Sequence, residues 1–195
     1  MSMLSPDSSK RYTYADYLSW ESEDKWELIE GVPYCMTPPP STRHQQLVRE
    51  LLIEFGSFLR NKKCQVFIAP FDVCLPDQKN EKQDEVTTVV QPDLVVICDP
   101  NKINQKGCFG TPDLIVEVIS PSTASQDYIR KMELYEKHGV KEYWIVQPTD
   151  EIVMVFKLMS GSFGKPDIYD KQSIIKVSMI DNLEINLENV FIDNV

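Results

Sequence analysis

Apolar residues recur along this chain with two different periods, and each change of period marks an element. Between Trp26 and Met36 they alternate with polar residues on either side of Glu30-Gly31, the pattern of a β-hairpin in which glycine supplies the turn. Farther on the spacing lengthens. His44, Leu47, Val48, Leu51, Leu52, Phe55, Phe58 and Leu59 fall at helical intervals and predict an amphipathic helix from about Thr42 to Arg60. Cys64 to Leu75 holds one or two strands. Pro92 to Ile97 and Asp113 to Ile119 are short apolar runs of the buried-strand type. A second helix is expected from about Ala124 to His138, closed by Gly139. Glu142 to Val146 and Ile152 to Phe156 read as strands joined by a turn at Gln147-Pro148-Thr149-Asp150.

The remaining stretches connect these elements. Residues 1–10 form a loose tail, and Tyr14 to Trp20 is a short helix with Thr13 as its cap. Thr37 to Ser41, with three consecutive prolines, is irregular, and the polar stretch Pro76 to Glu85 is an exposed loop. Beyond Ser160 the chain reads as short strands and turns. The order hairpin, helix, strands, helix, strands predicts a single α/β domain over residues 1–195, in which helices cover a mixed central sheet.

Composition narrows the function classes. Of the 195 residues 42% are hydrophobic and 26% charged, an ordinary balance for a globular domain. No apolar run approaches the ~20 residues that cross a bilayer. The polar start, Met1 to Lys10, lacks an apolar signal core, so the expected location is cytoplasmic with no membrane partner. The five cysteines are scattered without a C-x-x-C pair, which argues against zinc and predicts reduced thiols. With only two histidines, a catalytic metal would rest mainly on carboxylates, which favours Mg²⁺ or Mn²⁺. The net charge of −10 opposes tight unaided binding to nucleic-acid phosphates. Basic residues cluster only at Arg60-Asn61-Lys62-Lys63 and at Arg130-Lys131 with Lys137 and Lys141. A homo-oligomer, expected to be a dimer, could supply further positive surface.

The candidate chemistry lies in the two apolar runs. Glu117 is flanked by Val116 and Val118, and an unpaired charge buried there needs a cation, a hydrogen-bond network or a proton. Alternation puts Asp113, Ile115, Glu117 and Ile119 on one face of the strand. Asp93 opens the other run. If the two strands are neighbours, Asp93 and Glu117 point to one site with the hard oxygen donors that Mg²⁺ selects. Lys131 is the candidate for charge stabilisation and Glu27 for completing the site.

Beyond these residues, a longer ordered string is present. It comprises Trp26-Glu27-Leu28-Ile29-Glu30-Gly31, His44, Gln91-Pro92-Asp93-Leu94, Val116-Glu117-Val118-Ile119-Ser120-Pro121-Ser122, Asp127 with Lys131 and Tyr135, and Gly139-Val140-Lys141-Glu142-Tyr143-Trp144. This string resembles the Uma-two family of restriction-endonuclease-like proteins within the PD-(D/E)XK nuclease superfamily. The resemblance covers roughly Tyr12 to Leu158. It implies a restriction-endonuclease-like core and a metal-dependent nuclease site at Asp93 and Glu117, with DNA as the expected substrate. One departure is plain: the superfamily's lysine two residues after the glutamate is Ile119 here, and Lys131 on the following helix matches the family's alternative.

Each assignment has a structural rival. Glu117 and Lys131 could form a structural ion pair, Lys131 could merely pair with Asp127 along its helix, and Asp93 could end a strand. Glu27 could bond across its hairpin, and His44 could be a core residue or a helix-start contact. Asp113, about 13 Å from Glu117 at ~3.3 Å per residue, reads as a turn residue. Tyr128, Met132 and Tyr135 read as a packing face. At the level of function, the rivals to a nuclease are a catalytically silent binding or scaffold protein and a hydrolase of small phosphoesters.

Overall fold

Local sequence dictates the first elements. The computed structural model describes residues 6–7, 9–22, 24–36, 40–119 and 126–192, apart from the side chains of 126 and 127. Helix α1 (Tyr14–Leu18) begins with a reciprocal cap between Thr13 and Asp16. Strands β1 (Trp26–Ile29) and β2 (Val32–Cys35) form the expected hairpin. Its two turn residues, Glu30 and Gly31, both have positive φ (50° and 78°), the turn whose twist matches antiparallel strands. Helix α2 (Thr42–Leu59) starts at a Ser41 cap that accepts the His44 N–H.

The strands then divide between two layers. In chain order they are β3 (Gln65–Ile68), β4 (Val73–Cys74), β5 (Val89–Val90), β6 (Leu94–Ile97), β7 (Ile103–Asn104), β8 (Gly107–Phe109) and β9 (Leu114–Val118). A wide-turned helical segment, Gln126–Lys131, runs into α3 (Met132–His138), and Gly139 closes it at φ 78°. The part of this helix expected before Gln126 lies outside the described residues, as do Thr37 to Pro39. Strands β10 (Glu142–Gln147), β11 (Ile152–Met159), β12 (Ser162–Phe163), β13 (Asp167–Asp170), β14 (Ile174–Lys176) and β15 (Glu184–Asn186) precede a short α4 (Leu187–Val190).

A six-stranded sheet runs β2-β1-β5-β4-β8-β7, and a seven-stranded sheet runs β12-β11-β10-β9-β6-β3 with β13 also on β11. Parallel pairing of β9 with β10 and of β4 with β8 makes both sheets mixed. The chain steps from one sheet to the other over Gln91-Pro92-Asp93, between β5 and β6.

Alternation along β9 serves two cores. Leu114, Val116 and Val118 pack with Leu47, Leu51 and Phe55 of α2, while Ile115 and Ile119 pack with Leu134 and Tyr135 of α3 and with Val73 and Val90 of the first sheet. Each such side chain contributes about 1.5–3 kcal/mol on burial. Glu117 lies on the second face, with Ile115 and Ile119. No helix among the described residues is long and apolar enough to cross a membrane.

One expectation is corrected. Cys64 and Cys98 are joined in a disulfide rather than reduced. Antiparallel pairing of Gln65 with Ile97 makes them the next opposed pair, a proximity that 34 residues of separation conceal. Cys35, Cys74 and Cys108 are free thiols, and burial pushes Cys74 and Cys108 up to about 12, which keeps them inert.

Candidate functional site

Strand register brings the two carboxylates together. Antiparallel pairing of Leu94 with Val116 makes Asp93 the residue opposite Glu117. The Val118 N–H donates to Asp93 Oδ2 at 2.8 Å, and the Asp93 N–H lies 3.5 Å from Glu117 Oε2. Pro92 ends the chain's passage between sheets, so Asp93 stands at the mouth of the strand with its side chain 19% exposed. Glu117, one strand inward, is only 4% exposed.

Helix and hairpin complete the cluster. Lys131 and Tyr135 sit one helical turn apart, which puts them on one face. Both reach Glu117 Oε1 at 2.9 Å. The same Lys131 ammonium pairs with Glu27 Oε1 at 3.0 Å. Glu27 arrives from β1 in the other sheet, 1% exposed, and also accepts the Gln91 N–H at 3.0 Å. His44 Nε2 lies 3.0 Å from Asp93 Oδ2. The site therefore occupies the junction of the two sheets, closed on one side by α3 and on the other by the start of α2.

Burial governs the electrostatics. Desolvation, reinforced by the Glu117 carboxylate, holds the Tyr135 phenol well above its ordinary value, so it remains a donor. Among the described residues three acidic side chains, Glu27, Glu117 and Asp93, gather around one ammonium, Lys131, a composition that suits a divalent cation. The donors suit a hard ion: they are oxygens, and Asp93 Oδ1 accepts no hydrogen bond among the described residues. No group of three His, Cys, Asp or Glu side chains among those residues encloses an ion by itself. The set thus fits an ion that keeps several waters, as Mg²⁺ does.

Of the sequence candidates, Asp93, Glu117, Lys131 and Glu27 are all brought together. Asp113 stands at the far end of β9, where its oxygens accept from the Cys98 N–H and the Lys141 ammonium, each at 2.7 Å. The alternative pairing of Lys131 with Asp127 falls on a side chain outside the described residues. Tyr135, read as packing, is a direct partner of Glu117, and its position four residues after Lys131 was the available signal. His44 contacts the site through Asp93. Gln91 was visible only as part of a motif, because its role depends on Glu27 in a distant strand.

The second basic cluster is divided between the site and paired surface positions. Lys131 is buried in the site, Lys137 pairs with Glu30 and Asp77, Lys141 pairs with Asp113, and Arg130 lies over the Tyr34 ring at 4.2 Å.

Comparison with known proteins agrees with this architecture. The Uma2 family model, described as "Putative restriction endonuclease", matches residues 14–188. An uncharacterised protein of Synechocystis sp. is 28% identical over 152 residues, spanning 76% of this chain and 75% of its own. A crystal structure from Anabaena variabilis, described as a putative nuclease belonging to DUF820, aligns with a TM-score of 0.71 at 19% identity. That alignment covers 92% of this chain and 97% of the other. The likeness establishes a restriction-endonuclease-like fold of mixed sheets flanked by helices.

Proposed function

The chain belongs to the Uma2 family, and on that premise we propose that it is a Mg²⁺- or Mn²⁺-dependent phosphodiesterase acting on DNA. The observation that carries this reading is the register that sets Asp93 opposite Glu117, within reach of Lys131. Asp93 and Glu117 would hold the ion. When bound, it supplies a Lewis acid for a phosphoryl oxygen and lowers the pKa of a bound water.

The chain's own residues have separate tasks. Lys131 offsets negative charge developing on the phosphate, and Glu27 fixes the ammonium in place from the opposite sheet. Tyr135 orients Glu117 through Oε1, and His44 with the Val118 N–H orients Asp93 through Oδ2. Side chains held from several elements lose little freedom when substrate binds, which favours reaction in a fixed geometry. A cytoplasmic location, where DNA would be met, belongs to the same proposal.

The test is calorimetric titration with Mn²⁺ alongside a cleavage assay. Wild type should bind the ion and cleave, and Glu117→Ala and chelator should abolish both. Absence of Mn²⁺ binding by wild type, with Glu117→Ala altering stability alone, would sink the proposal.

One observation favours a second reading, a catalytically silent protein that keeps the fold for binding. Lys131 already joins Glu27 and Glu117 in a buried ion-pair network, which can serve structure alone. Under that reading Glu117→Gln leaves partner binding intact and no divalent ion is bound. A panel setting oligonucleotides against small phosphoesters tests the substrate class.

A further inference from the structure

The polar network around Glu27 continues past the carboxylates. Gln91, whose N–H donates to Glu27, also lines a cleft of about 340 Å³ between the turn Pro70 to Asp72 and the β7–β8 turn. The walls of this cleft are fastened to each other. The Cys108 N–H donates to the Asp72 carbonyl at 2.8 Å. Gly107, at φ +123°, approaches so closely that a Cβ would meet the same oxygen at 2.2 Å. The Tyr14 hydroxyl lies 2.9 Å from Asp72 Oδ2 and 3.2 Å from the Lys106 carbonyl oxygen. Burial beside Asp72 holds that phenol well above its ordinary value, so it stays a donor.

The Asp72 carboxylate is therefore committed inward. It meets Tyr14, Tyr17 at 3.4 Å and Gln91 Nε2 at 2.8 Å. What the cleft offers a ligand is different in kind. Phe71 is half-buried, stacked on Phe67 at 4.3 Å and packed against the second core, and it is the aromatic residue that lines the cleft. The Gln105 amide and Gln91 Oε1 have no hydrogen-bond partner among the described residues. The Lys106 ammonium lies 5.8 Å from the centre of the Tyr14 ring and holds an exposed pair with Asp84, a class of contact that contributes little. Aromatic surface, amide groups and one ammonium are what a nucleotide outside its stack requires for its base, its base edge and its phosphate.

Shape and charge select the form of nucleic acid. Duplex DNA is read by an element that enters a groove about 12 Å wide, whereas a concavity must receive its ligand. The cleft, about 340 Å³ and widely open to solvent, is of a size to receive one nucleotide. A chain of net charge −10 is poorly equipped to neutralise the many phosphates of a duplex, while a single unpaired nucleotide needs one cation.

We infer that this cleft is the subsite for an unpaired nucleotide beside the scissile phosphate, so that the substrate is single-stranded or locally unpaired nucleic acid. The position of the scissile bond rests on the nuclease reading of Asp93 and Glu117; occupancy of the cleft does not. The test uses the full chain with EDTA present, titrated against a fluorescein-labelled single strand of about 12 nucleotides and its duplex. Anisotropy should report about ten-fold tighter binding of the single strand. Phe71→Ala and Lys106→Ala should each weaken it about five- to ten-fold, with Gln105→Ala a smaller loss. Mn²⁺ binding, measured separately by calorimetry, should not change in these variants.

Binding of the duplex as tightly as the single strand, or no binding of either, overturns the inference. So does wild-type affinity in both Gln105→Ala and Lys106→Ala, whose exposed side chains can be removed without loss of folding. A protein that binds the single strand through these residues but takes up no Mn²⁺ leaves the nucleotide site standing and overturns the nuclease reading. Metal-dependent cleavage indifferent to all three cleft variants does the reverse.

Discussion

Two glutamates are buried on adjacent parallel strands of one sheet, and they are held in opposite ways. Glu142 on β10 is fully enclosed by neutral donors. The Trp144 indole N–H donates to Oε1 at 2.8 Å, and the Ser178 N–H and hydroxyl donate to Oε2 at 3.1 and 2.6 Å. Oriented dipoles of fixed geometry stabilise its charge and tie β10 to the segment after β14. Glu117 on β9 shares an ammonium with Glu27 and faces Asp93 across the strand pair. Its surroundings among the described residues are ionic, and Asp93 brings them to a partly open edge. Burial of a carboxylate is therefore a weak sign of chemistry. The nature of its partners separates a strut from a place where a cation is wanted.

Removal of Glu117 has the largest expected effect. In a cleavage assay with Mn²⁺, Glu117→Ala should lose activity by a factor on the order of 10² or more. Glu142→Gln should retain most of it; equal losses would erase the distinction. Stability should divide the two in the other direction. Glu142→Ala strands the Trp144 and Ser178 donors in the core and should lower the urea-unfolding free energy by about 3 kcal/mol. Glu117→Ala leaves Lys131 paired with Glu27, and its loss should be about half as large.

Metal linkage gives a third measure. At Mn²⁺ a hundred-fold above its Kd, wild type and Glu142→Gln should gain about 2.7 kcal/mol in denaturant melts. Glu117→Ala should gain nothing, and a matching gain would locate the ion elsewhere. The smallest effect concerns Tyr135. Tyr135→Phe removes one hydrogen bond to Glu117 and should destabilise by about 1 kcal/mol. Because the folded phenol is raised above the ordinary value of 10.0, its contribution is full below pH 10 and falls as pH rises past it. Wild type should accordingly lose stability in alkali more steeply than Tyr135→Phe, measured as unfolding free energy from pH 9 to 11.

Much of the architecture was legible along the chain because it depends on neighbours in sequence. The two-residue turn at Glu30-Gly31, the extent of α2 and the two-faced alternation of Leu114 to Val118 all follow from local sterics and periodic burial. Glu117 could be singled out because a charge between valines contradicts its surroundings. The same logic gave no access to Glu142, which sits at the polar start of its strand and shows its three donors only once β10 meets Ser178.

What the tertiary structure alone decided is who meets whom. That Asp93 opposes Glu117 depends on the register of β6 against β9, and that Cys64 opposes Cys98 depends on β3 against β6. Glu27 reaches Lys131 only because two sheets share a corner at Gln91-Pro92-Asp93. Tyr135 reads as packing until the helix is docked over Glu117. Periodicity specifies which face of an element is buried, but partners distant in sequence are chosen by strand pairing and helix docking. Those choices converted four separately noticed residues into one charged cluster and set an unassigned cleft beside it.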